Sequence, residues 1–249
     1  MTTELGLHLE DALDVLALRR PLLLASDYDG VLSALADDPQ AAGPEPWAAD
    51  LLTRLAGAEG VTVALVSGRG VADLRATSGF TGPYRWVGSH GAEFDGDLDP
   101  AVLAARDRLV AAVGPLVEGV PGARLEVKPA AVAVHVRTVP DRDAAGALLA
   151  AADAAAEPEV TRKPGKDVME LALTAADKGT ALVRLRDELG ADAVLYLGDD
   201  VTDEDAFTAL GREDVTVKVG AGTTAAQHRV ADLDSVRALL ERLATALAV

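Results

Sequence analysis

The spacing of apolar and polar residues follows two periods. Short apolar runs of strand length fall at residues 22–26, 61–67, 85–88, 193–197 and 215–219. Between them lie stretches whose apolar residues recur three and four apart: WAADLLTRLAG (47–57), RGVADLRATSG (69–79), DKGTALVRLRDELG (177–190) and DSVRALLERLATALAV (234–249). Strands alternating with helices predict an α/β fold with a Rossmann-like parallel sheet covered on both faces, where ligands collect at the carboxyl ends of strands. DYDG, SGR and GDD all fall at such ends.

Between about residues 97 and 172 the rhythm changes. A helical pattern, AVLAARDRLVAAV, precedes two strand patterns, ARLEVK (123–128) and AVAVHVR (131–137), separated by only two residues. A second helical pattern, RDAAGALLAAADAAA, and a strand-like DVMELAL complete the segment. So short a link between strands predicts antiparallel pairing, and hence an inserted α/β cap domain rather than a repeat of the first fold. The expected division is a core at 1–97, a cap at 98–172 and the rest of the core at 173–249.

The composition narrows the function. Lys and Arg number 23 against 40 Asp and Glu, a formal charge of −17 over 249 residues, which repels a nucleic-acid backbone and requires local positive charge for an anionic substrate. No cysteine is present, which excludes disulfide and thiolate chemistry and fits a reducing, cytoplasmic location. Arg19 and Arg20 precede an apolar run too short for a signal sequence or a membrane span, so no membrane association is expected.

Candidate chemistry begins at DYDGVL (27–32). Asp27 and Asp29 follow an apolar strand, and Gly30 permits a tight turn. Two carboxylates buried side by side are costly unless a proton or cation compensates, and a hard divalent ion, Mg2+ foremost, suits oxygen ligands. A further acidic group, GDDVTDEDAF (198–207), follows another strand, with five acids between 199 and 205. Helix capping accounts for one or two of them; metal ligation accounts for the set. Ser67 and Arg69 in SGR stand where a helix start presents free N–H groups to an anion. Lys178 in ADKG stands at a helix start, a position unfavourable for a cation unless an anion binds there.

In this order, DYDGV, SGR, the helix-start lysine and GDDxxDE resemble the haloacid-dehalogenase-like phosphatase superfamily, and the inserted unit resembles its larger α/β cap. The resemblance implies that Asp27 is a phosphoryl-accepting nucleophile and Asp29 an acid and base for the leaving group and water. It further implies that Asp27, Asp29 (through its carbonyl), Asp199 and Asp203 serve Mg2+, while Ser67 and Lys178 steady the phosphoryl group. Longer strings are similar to those of trehalose-6-phosphate phosphatases: DYDGVLSALADDP, VGSHGAE (87–93), GDDVTDEDAF, LEVKPAAVAVHVR (125–137) and GKDVMEL (165–171). This closer resemblance implies a substrate, trehalose 6-phosphate, gripped by Glu126, Lys128 and Glu170 of the cap, with Arg69, His90 and Gly91 as core contacts. A trehalose-phosphate synthase becomes a candidate partner.

Alternate residues of a strand share a face, so Glu126 with Lys128, and His135 with Arg137, project together. His135, inside an apolar run, reads as a satisfied core residue. Two positions depart from the family pattern: Ala172, where many relatives carry arginine, and Ala131, where they carry serine. The rival readings are a phosphatase for another sugar phosphate, such as sucrose phosphate or glucosylglycerol phosphate, a phosphotransferase, and a non-catalytic sugar-phosphate sensor. The sensor would be expected to lack one of Asp27, Asp29, Lys178 or Asp199.

Overall fold

The computed structural model describes residues 7–36 and 42–249, so the DDP string at 37–39 lies outside it. Along the chain, α1 (Leu7–Leu16), β1 (Leu22–Ser26), α2 (Ala48–Ala56), β2 (Val61–Val66), α3 (Val71–Ser78), β3 (Arg85–Gly88) and β4 (Glu93–Phe94) come first. Then follow α4 (Pro100–Glu118), β5 (Arg124–Lys128), β6 (Ala131–His135), α5 (Arg142–Ala155), β7 (Thr161–Gly165) and β8 (Val168–Ala172). The chain closes with α6 (Lys178–Leu189), β9 (Ala193–Gly198), α7 (Glu204–Ala209), β10 (Val215–Val219), β11 (His228–Val230) and α8 (Leu233–Ala246). Contacts divide it into two compact units, one of residues 1–96 and 176–249, the other Asp97–Ala175.

In the first unit a seven-stranded sheet runs β11-β10-β9-β1-β2-β3-β4, parallel throughout except for β4. Its central strand β1 is apolar on both faces for a visible reason. Leu22 and Leu24 of β1 join Leu13 of α1, Leu52 of α2 and Leu239 of α8 in one cluster, while Leu23 and Ala25 join Leu182 of α6 and Phe207 of α7 in another. A strand buried on both sides reads as a continuous apolar run.

The sheet also fixes where the chemistry falls. Ser26 pairs with Leu65 on one side and Leu197 on the other, so Asp27, Ser67 and Asp199 leave the sheet at one edge. The chain goes from β1 out to β2 and β3, then returns to β9 and β10 on its other side. Asp27 therefore stands at the switch point of the strand order, where open α/β sheets leave a crevice.

The second unit pairs its strands antiparallel in the order β5-β6-β8-β7. Val132, Val134 and Leu171 pack against Leu109 and Val113 of α4 and Leu148 of α5. Alternation turns Glu126, Lys128, His135, Lys163 and Glu170 to the opposite face. Helix α4 runs on through Gly114 and Pro115, beyond the spacing-based end at 113, because Val117 continues the buried row of Leu109 and Val113. Burial of that face outweighs the interruption by proline. No helix among the described residues is long and apolar enough to cross a membrane.

Candidate active site

Asp27 is nearly fully buried where β1 ends, its N–H still donating to the Leu197 carbonyl of the neighbouring strand. One carboxylate oxygen, Oδ1, accepts the Tyr28 N–H at 2.6 Å, and the other, Oδ2, accepts Lys178 Nζ at 2.5 Å. The same ammonium donates to Asp203 Oδ1 at 2.7 Å. Lys178 is the first residue of α6 and is buried, so the two carboxylates offset both its desolvation and the positive helix end beside it.

Asp203 is further held by the Tyr196 hydroxyl at 2.6 Å and by the Asp200 N–H at 2.9 Å. Asp27, Asp199 and Asp203 offer carboxylate oxygens that all lie within 4.8 Å of one another. Close approach depends on Gly30, whose φ of +74° favours glycine and where a Cβ would lie 2.0 Å from Asp199 Oδ2. Three carboxylates, two of them just past the ends of adjacent strands β1 and β9, form an all-oxygen donor set of the kind a hard divalent ion takes.

Electrostatics follow from this crowding. Burial, opposed by Lys178 and reinforced by Asp203, pushes the Asp27 carboxyl up to about 8. Burial and Asp203 push Asp199 up to about 6, against the pull of Lys218. Burial works to lower the Lys178 ammonium, but Asp27 and Asp203 outweigh it and leave its pKa raised. Burial and Asp203 hold Tyr196 well above the ordinary phenol range, so it remains a donor. A divalent cation among these carboxylates would favour their ionised forms and reverse the shifts of Asp27 and Asp199.

The Asp29 carboxylate is not part of that cluster. Both its oxygens are held by Arg69, Nε to Oδ2 at 2.8 Å and Nη2 to Oδ1 at 2.8 Å, and Arg69 also reaches Asp73 at 3.1 Å. Ser67 is buried just past β2, its Oγ accepting the Arg69 N–H at 3.1 Å. His90 lies in a left-handed turn, and its N–H donates to the Ser67 carbonyl at 3.0 Å. Asp27, Asp29, Ser67, Arg69, His90, Gly91, Lys178, Asp199 and Asp203 thus all belong to the first unit, on loops at the same edge of the sheet or at the helix start packed against it.

Glu126, Lys128 and Glu170 share the helix-free face of the second unit. On β6, Ala133 pairs with both Glu126 and Glu170, and Ala131 with both Lys128 and Ala172. The small side chains of β6 let Lys128 reach across it to Glu170 at 2.5 Å, while Lys163 approaches Glu170 from the edge strand at 4.0 Å. His135 corrects the expectation of a core residue. It is part-exposed, and its Nε2 lies 2.6 Å from Glu126 Oε2, because alternation along β6 puts it with Ala131 and Ala133 on the polar face rather than toward α4 and α5.

Two residues of the first unit escaped the sequence reading. Tyr196 orients Asp203, and buried Lys218 of β10 donates to the Asp199 carbonyl and, at 3.0 Å, to that of Val219. The available signal was a polar group inside an otherwise apolar central strand, in VLYLG and VTVKV. Such a group is buried only with a partner.

Residues 25–236 match the family model described as trehalose-phosphatase. The chain belongs to the trehalose-phosphatase family. Similar curated proteins include a trehalose-phosphate phosphatase of Mycobacterium bovis, 34% identical over 96% of this chain and 67% of the relative. A bifunctional trehalose-6-phosphate synthase/phosphatase of Thermoproteus tenax is 37% identical over 91% of this chain, which spans only 32% of that protein. Other relatives are matched over about half their length, as in 55% and 53% of two mycobacterial trehalose-phosphate phosphatases. Among solved structures, the trehalose-6-phosphate phosphatase of Aspergillus fumigatus aligns with a TM-score of 0.73 at 26% identity, covering 98% of this family member and 99% of that chain.

Proposed function

We propose that the chain is a Mg2+-dependent phosphatase that converts trehalose 6-phosphate to trehalose and phosphate, the last step of trehalose biosynthesis. The observation that carries the reading is the buried Asp27–Lys178–Asp203 constellation beside Asp199, in a member of the trehalose-phosphatase family. Mg2+ held by the Asp27 side chain, the Asp29 carbonyl, Asp199 and Asp203 would supply the positive charge that lets an anionic nucleophile meet an anionic ester.

The chain's own groups then divide the work. Asp27 attacks phosphorus to give an aspartyl-phosphate, its other oxygen fixed by Lys178. Ser67 and the backbone N–H groups after Asp27 donate to the phosphoryl oxygens, and Lys178 balances their charge. Asp29 protonates the departing sugar oxygen and then takes a proton from the attacking water. Arg69 occupies both oxygens of Asp29 in a two-pronged pair, so Arg69 must release Asp29 before that transfer, turning to substrate instead. His90 and Gly91 add core contacts.

The cap, proposed at 98–172 between core segments 1–97 and 173–249, supplies specificity. Glu126 and Glu170 accept from sugar hydroxyls and Lys128 donates to them. Such an enzyme works in the cytoplasm, and the bifunctional Thermoproteus tenax relative supports a trehalose-phosphate synthase as partner. The strongly acidic charge speaks against nucleic acid.

Phosphate release from trehalose 6-phosphate, glucose 6-phosphate and sucrose 6-phosphate, with and without chelator, tests the reading. Trehalose 6-phosphate should be turned over fastest, chelator should stop it, and Asp27→Asn should abolish it while leaving a folded protein. Equal rates on all three esters would remove the substrate, and a fully active Asp27→Asn the mechanism.

A further inference from the structure

Within the GSHGAE loop, Glu93 has no part in the chemistry so far described. Its side chain is buried, and one oxygen, Oε2, accepts two hydrogen bonds, from the Val71 N–H at 3.1 Å and from the Ser89 hydroxyl at 2.9 Å. Val71 is the first residue of α3, and the N-cap position before it is Gly70, which has no side chain to offer. Glu93, 22 residues further on, is therefore the cap that α3 lacks, a carboxylate at the positive helix end.

What Glu93 holds on its other side is strained. Ser89, His90 and Gly91 have φ of +51°, +57° and +107°, a left-handed stretch in which two of three residues carry side chains. Such a turn persists only where its surroundings over-determine it. Those surroundings are the candidate active site. The Ser89 N–H donates to the Arg69 carbonyl at 2.7 Å and the His90 N–H to the Ser67 carbonyl at 3.0 Å. Gly91 lies so close to the start of α6 that a Cβ there would sit 2.4 Å from the Asp177 carbonyl oxygen, one residue before Lys178. The turn thus touches both the SGR loop and the lysine-bearing helix start.

We propose that Glu93 is a positioning residue: by tying Ser89 to the first turn of α3, it holds the 89–91 turn as a splint between Ser67 and Lys178, which approach the phosphoryl group from different elements. The inference rests on the phosphatase reading, since only there do Ser67 and Lys178 act on one group. Without Glu93 the turn relaxes toward negative φ, and Ser67 and Lys178 lose their mutual placement. Misplacement costs turnover of any phosphate ester, because the error is at phosphorus and not at the sugar.

The test compares wild type, Glu93→Ala, Glu93→Gln and Ser89→Ala on trehalose 6-phosphate and on p-nitrophenyl phosphate, well below each melting temperature. Glu93→Ala should lower kcat on both esters by a similar factor, about tenfold to a hundredfold, with KM little changed. Glu93→Gln should recover most of that loss, because the amide oxygen can accept from both donors. A folded Glu93→Ala with wild-type kcat, a loss confined to KM or to trehalose 6-phosphate, or a Gln variant as slow as Ala would each overturn the proposal. If Glu93→Ala does not fold, Ser89→Ala decides: a lower kcat on both esters supports the splint, and an unchanged one overturns it. A wild type inactive on every ester would instead overturn the phosphatase reading.

Discussion

Glu126 sits on edge strand β5 with its side chain 38% exposed, and the tightest contact that fixes it is the ring of His135. Arg124 is more distant, at 3.8 Å. An exposed carboxylate held by one close partner is ordered for ligand binding only as well as that partner orders it. His135→Ala should therefore raise KM for trehalose 6-phosphate about three- to tenfold, the range of one hydrogen bond, and leave p-nitrophenyl phosphate unaffected. Equal effects on both esters would separate His135 from sugar binding. The same residue shows what spacing can miss. In AVAVHVR the histidine continues an apolar run, and only the pairing of β6 with β5 reveals which face it takes. Asp27, Ser67 and Asp199 were legible because each follows a strand. Tyr196 and Lys218 were hidden within strands, where identity alone does not disclose a partner.

At the level of elements, α6 has a start that local preference would reject, a lysine as its first residue. Asp177 answers for this by a reciprocal cap: its side chain accepts the Thr180 N–H at 2.7 Å while Thr180 Oγ1 accepts the Asp177 N–H at 3.1 Å. Asp177→Ala should cost about 1 kcal/mol, lowering the melting temperature by about 2–4 °C in thermal unfolding. No change would mean that packing alone fixes the helix start. The longer elements were legible from period because each buries an apolar face. β4, β7 and β11 were not. β7 reads TRKPG, with proline, glycine and two cations on an exposed edge, and it is a strand only because β8 offers its ladder. β4 and β11 are too short to show a period. Helix α1 also went without an expectation, although Leu9, Leu13 and Leu16, all buried, stand four and three residues apart as one helical face.

For the molecule as a whole, a charge of −17 makes every buried carboxylate a liability unless it is compensated. Asp27 and Asp199, raised to about 8 and about 6 from 3.8, keep protons in the folded state at pH values where the unfolded chain has released them. Without metal, the folded state then loses stability as pH rises from about 4 through those two values. A cation that binds only the folded site opposes this loss, by about 2.7 kcal/mol at a hundred times its dissociation constant. Melting temperatures measured with chelator should fall between pH 5 and pH 8, and Mg2+ should restore more at pH 8 than at pH 5. A Mg2+ effect independent of pH would argue against ligation by these carboxylates.

The bond from the Asp27 N–H to the Leu197 carbonyl has a consequence for how the protein moves. The backbone of the residue proposed as nucleophile is a rung of the central ladder, so fraying or loop opening cannot free it short of breaking the sheet itself. Whatever rearrangement accompanies ligand binding must be borne by side chains and peripheral loops, with the Asp27 backbone as the fixed reference point.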